Sequence, residues 1–169
     1  MSVAQEFPTL MRSRQIVEEA LGPDHPEFVK VLHRLAVLYH SRDNIEKAEF
    51  LYRRALDTAE KAFSEPNQEW ALTMNNLGRL LHDSQRLAEA ERLYRQALDA
   101  LEKTLGPEHR KLATPMSNLA TLYASQGRID LAEICFRDSI RILEQAYGPN
   151  HAKVAKAKNR LNRIRHSAT

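Results

Sequence analysis

Two adjacent asparagines, Asn75 and Asn76, interrupt the helix-forming stretch "LTMNNLGRLLH", and Asn118 follows 42 residues after Asn76. Asparagine is a weak helix former because its short amide competes for nearby backbone hydrogen bonds, so its recurrence calls for a use beyond the helix. One such use is recognition. A side-chain amide offers two donors and an acceptor, enough to pair with the N–H and C=O of an extended peptide without reading its sequence. The cations Lys30, Arg34, Arg79, Lys156, Arg160 and Arg163 fall at comparable places in the chain, beside the acid Asp83. Such cations select carboxylates through charge-assisted hydrogen bonds.

Other chemistries find less support. His33 and His40 stand two helical turns apart, about 10 Å at the α-helical rise, too far to share a metal. His40 and His82 are 42 residues apart and could approach each other, but two histidines without a carboxylate partner rarely make a metal site. Cys135 is the sole cysteine, which excludes an internal disulfide. No Gly-rich phosphate loop, metal-ligand motif or nucleophile elbow occurs, so neither catalysis nor a cofactor is expected.

The elements that position these residues follow from a repeat. "LGPDH" at Leu21, "FSEPN" at Phe63, "LGPEH" at Leu105 and "YGPNH" at Tyr147 are spaced by 42 residues without insertion or deletion. A fixed period of this size indicates a solenoid of identical supersecondary units. Each unit reads as two helices. In the first, A, Trp70, Met74, Leu77, Gly78 and Leu81 recur at three- and four-residue steps; in the second, B, Leu87, Ala90, Leu93, Tyr94 and Ala97 do so. Tight turns "SRDN", "DSQR" and "SQGR" join A to B, and between units Asp24 is the expected cap, with Pro26 in the first turn. Gly78, where other units have Ala36 and Ala120, is expected to let helix B approach closely. Pro115 falls well inside the third A helix and predicts a kink there, or a fresh start capped by Thr114.

One domain over 1–169 is expected: a lone helix B at 7–20, repeats at 21–62, 63–104 and 105–146, and a partial repeat with a basic capping helix at 147–166. The order B, AB, AB, AB, A gives eight helices. At the amino end Leu10, Ile16 and Val17 leave an apolar flank on the lone helix, a candidate surface for homodimerisation. The composition, 43% hydrophobic and 28% charged, is that of a folded protein. Its apolar runs are too short for a bilayer span or a signal peptide, so a cytoplasmic protein without membrane insertion is expected. The net charge of +3 is uneven, because residues 150–169 hold six Lys or Arg and no acid.

The Leu-Ala/Gly, Leu-Tyr, Ala, Tyr/Phe and Ala positions at these spacings resemble the tetratricopeptide repeat. The 42-residue period, the "LGPDHPE" opening and the "NNLG" core are similar to the longer repeat of kinesin light chains. The resemblance implies an all-α, right-handed superhelical solenoid of antiparallel helix pairs, with the A helices lining a concave groove. On a helical wheel the arc opposite Trp70 and Met74 carries Leu72, Asn75, Asn76, Arg79 and His82. Its counterparts are Lys30, His33, Arg34, Val37 and His40, then Asn118 and Thr121, then Lys156, Asn159, Arg160 and Arg163. The expected function is a non-catalytic scaffold whose groove holds an extended, acidic segment of another protein, as kinesin light chains hold acidic cargo peptides. The alternatives are a structural subunit docking through its helical ends, and binding of nucleic acid or an anionic surface by the basic last helix. The lack of aromatics in that helix ranks nucleic acid below the others. Cys135 aligns with Leu51 and Leu93 and is expected to pack as a core thiol.

Overall fold

The computed structural model describes residues 3–167 and the side chains of residues 7–166. Apolar residues at three- and four-residue steps make eight α-helices among the described residues: α1 (Val3–Leu21), α2 (Pro26–His40), α3 (Ile45–Ala62), α4 (Gln68–Asp83), α5 (Leu87–Leu105), α6 (Ala113–Ser125), α7 (Ile129–Tyr147) and α8 (Ala152–Ser167). Helices α2 and α3, α4 and α5, and α6 and α7 pair closely, and each pair packs on the next, with α2, α4 and α6 meeting along one side. The chain is the solenoid its period predicts. None of the helices is long and apolar enough to cross a membrane.

Each pair closes around one buried column. Tyr52, Tyr94 and Phe136, spaced by the period, are wholly buried in the B helices. Gly78 meets this column: a Cβ placed there would lie 2.9 Å from Cε1 of Tyr94. The close approach expected of Gly78 is therefore present. Turns between units begin with glycines such as Gly106 and Gly148, whose φ of 85° an L side chain rarely adopts.

Two local expectations are corrected. Asp24 does not cap α2; it pairs with Lys61 at 3.2 Å. The cap is the next residue, His25, whose Nδ1 accepts from the Glu27 N–H at 3.2 Å. His109 and His151 cap the corresponding turns in the same way, and Asn67 does so through Oδ1. Neutral imidazole can do this because its unprotonated nitrogen is an acceptor. Thr114 is likewise not a cap. A 3₁₀ turn, Arg110–Leu112, precedes α6, which starts afresh at Ala113 with no side-chain cap. Pro115 thus becomes its third residue, where the missing N–H has no intrahelical partner to lose.

On the B side, one carboxylate locks each junction. Glu49 accepts from Arg53 of its own helix at 2.9 Å and from Arg86 of the next unit at 2.7 Å. Glu91 is held likewise by Arg95 at 2.9 Å and Arg128 at 3.0 Å, and Glu133 by Arg137 at 2.6 Å and Arg165 at 2.9 Å. Burial pushes the Glu49 and Glu91 carboxyls up, but hydrogen bonds from the arginines, joined at Glu91 by the Tyr123 hydroxyl, win and hold both below the usual carboxylate range.

The ends differ. Leu10 is buried against the core, contrary to the expected open flank, and Val17 is half-buried. Ile16 does stand out at 54% exposure, whereas its period mates Thr58, Ala100 and Ile142 are at most 4% exposed. At the other end, exposed Lys158 and Asn162 of α8 replace the buried Leu32 and Ala36 of α2, giving the polar outer face of a terminal repeat.

Replacing Gly78 by alanine is expected to lower stability by about 1 kcal/mol in urea unfolding, because overpacking against Tyr94 outweighs the gain in helix propensity. A more stable Gly78→Ala chain would contradict this packing.

Candidate functional site

The A helices present their polar arcs side by side, and the asparagines prove to be joined. Asn118 donates through Nδ2 to Oδ1 of Asn75 at 2.9 Å, and Asn75 donates to Oδ1 of Asn76 at 3.3 Å. Asn76 donates to Nε2 of His33 at 3.3 Å. With that nitrogen accepting, the neutral ring carries its proton on Nδ1, which donates to Oγ1 of Thr73 at 3.0 Å. The Thr73 hydroxyl ends the series on the Glu69 carbonyl at 2.9 Å. Five hydrogen bonds therefore run in one direction through α6, α4 and α2, an arrangement in which each bond polarises the next.

This corrects the wheel. Asn75 and His33 do not stand free on a solvated arc: they are 5% and 7% exposed, because each is covered by the neighbouring A helix. The spacing is regular, since an amide of one unit meets the residue 43 positions earlier in both Asn76–His33 and Asn118–Asn75. Asn76 and Asn118 remain half-buried and reach the surface with amide hydrogens to spare. His40 and His82 meet different partners. His40 faces Asp83 at 3.9 Å, and His82 meets the Ser125 hydroxyl at 3.3 Å.

Beyond the asparagines the surface opens into adjoining hollows. Asn75, Asn76, Arg79, Asn118, Lys156 and Arg160 line one of about 330 Å³. Arg79, His82, Asn118, Thr121, Arg160 and Arg163 line another of about 530 Å³, which also takes in Asp83. Leu72, 46% exposed, shares a third with Asn75, Pro115, Tyr147 and Lys153. Lys30, Arg34, Val37 and His40 of α2 line none of the three, and Asn159 lies apart beside Asn162 and His166. Lys30 is paired with Glu27 at 2.6 Å. Thr73 and Lys153 were not singled out by the sequence; Thr73 meets His33 at an offset of 40 residues, which the 43-residue rule of the amides does not reach.

The cations of α8 divide by face. Arg165 and Lys158 are spent on Glu133 and Glu144, at 2.9 and 2.6 Å, and Lys153 lies over the Tyr147 ring at 4.7 Å. Lys156, Arg160 and Arg163, with Arg79 of α4, pair with no acid among the described residues. Among those residues no group of three His, Cys, Asp or Glu could hold a metal, and half-buried Cys135 has its thiol pushed up by burial.

Comparison with known proteins matches residues 7–61 and 70–145 to the tetratricopeptide repeat. Nephrocystin-3 of Xenopus laevis and of Homo sapiens is 42% identical over 53 residues, 31% of this chain but only 4% of the relative's length. Among solved structures, BtubC (BKLC) from P. vanneervenii superposes with a TM-score of 0.80 at 22% identity, over 99% of this chain and 67% of its own. A Podosopora anserina protein with nearly identical TPR-like repeats gives 0.79 at 20% identity, over 98% and 78%. At these identities the likeness shows the fold.

Burial lowers His33 from 6.5 to about 4, so the folded chain keeps it neutral while the unfolded chain takes up a proton from about pH 6.5 downward. Its contribution is therefore complete above pH 6.5 and is lost as the pH falls towards 4, by roughly 3 kcal/mol at most. His33→Asn, the residue found at the equivalent places 75 and 159, is expected to flatten the fall in stability between pH 6.5 and 4 in urea titrations. An unchanged slope would exclude His33 as its source.

Proposed function

The chain belongs to the tetratricopeptide-repeat family, whose repeats build protein–protein interaction scaffolds, and from that premise we propose that the hollows across α4, α6 and α8 bind an extended, acidic segment of a partner protein. The observation that carries this reading is the division of cations. Those on the outer face of α8 are neutralised within the protein, while Arg79, Lys156, Arg160 and Arg163 line the groove unpaired. Guanidiniums that no acid of the protein engages favour carboxylates, which they hold through charge-assisted, two-pronged hydrogen bonds. Asn118 and Asn76 add amide donors for the segment's backbone. Because their other hydrogen bonds hold them in place, little side-chain entropy is lost on binding.

The same division weakens the nucleic-acid reading of α8, since half of its six cations are already engaged. A docking role through the amino end has one observation in its favour, the exposed Ile16 on a helix that lacks its A partner. A protein that stays monomeric at micromolar concentration would remove that reading.

Binding of a fluorescent Glu/Ser peptide, followed by anisotropy in moderate salt, tests the groove. Arg160→Glu is expected to weaken it at least tenfold and Asn118→Ala about threefold to tenfold, with the helical circular dichroism unchanged. Equal binding by both variants would contradict the proposal.

A further inference from the structure

We propose that the larger hollow receives a phosphate monoester on the partner segment, a phosphothreonine or phosphoserine side chain; this rests on the groove reading above. Val37, Arg79, Thr121 and Arg163 occupy one position in successive A helices. Because the middle residue of the last three is the short Thr121, the two arginines flank a gap over α6, and Arg160, one turn before Arg163, closes its side. The result is a recess of about 530 Å³ walled by three guanidiniums that pair with no acid among the described residues.

Charge and donor number select the ligand. Asp83 is the acid lining the recess, so its three guanidiniums outnumber its carboxylates by two. A phosphate monoester carries about −1.5 to −2 at pH 7 and offers three acceptor oxygens, whereas a carboxylate carries one charge and occupies one guanidinium fork. A further donor is Asn118, which also lines the recess and has a second amide hydrogen beyond the one given to Asn75. Arginine rather than lysine forms all three walls, and its planar fork matches phosphate oxygens two at a time.

The test uses the full chain with two Glu/Ser peptides, one carrying a central phosphothreonine and its twin carrying glutamate there, and inorganic phosphate as competitor. The phosphopeptide is expected to bind at least tenfold more tightly than its twin, to lose that advantage in Arg163→Gln, and to be displaced by millimolar phosphate but not by acetate at equal ionic strength. Equal affinities for the two peptides, each still dependent on Arg160 and Asn118, would overturn this inference and leave the groove reading standing. Failure of both peptides to bind would overturn the groove reading and this inference with it.

Discussion

The hydrogen-bonded series from Asn118 to the Glu69 carbonyl ties α6, α4 and α2 together through their buried middles, and the shape of the groove depends on it. Apolar packing alone permits one helix pair to slide on the next, since burial is not directional. Buried amides are intolerant of sliding, because each unpaired donor or acceptor would cost about 1–3 kcal/mol. On the opposite side the Glu49, Glu91 and Glu133 locks tie each B helix to the next unit. The two ladders fix the angle between successive units from both faces.

From that register follows the distribution of charge. The arginines of the B-side locks consume their carboxylates, so the groove side holds the surplus of cations, and α8 contributes to both. Through Arg165 it closes the last lock; through Arg160 and Arg163 it forms one wall of the larger hollow. Helix α8 is thus also part of the candidate site. Burial keeps His33 neutral, which is the state its place in the series requires, with one ring nitrogen accepting and the other donating.

Much of this was legible in the residues. The 42-residue period, the eight helices and the need for a small residue at Gly78 follow from spacing, and the grouping of Asn76, Asn118, Arg79 and Arg160 from the resemblance to the tetratricopeptide repeat. What was missed has a common cause: a helical wheel treats a helix in isolation. Asn75 lies on the polar side of its own helix, yet the neighbouring A helix covers it. The caps were displaced by one residue because histidine is an unusual cap, although the final letter of "LGPDH", "FSEPN", "LGPEH" and "YGPNH" shares the acceptor that does the capping. For Pro115 the break was foreseen, but not the 3₁₀ turn that moves the helix start to Ala113.

The most direct test of the account is a crystal structure of the chain with a bound Glu-rich peptide. The account predicts an extended segment crossing α4, α6 and α8, with its carboxylates on Arg79 and Arg160 and its backbone on Asn118. A peptide seated on the outer faces of α3, α5 and α7, with the groove empty, would contradict it.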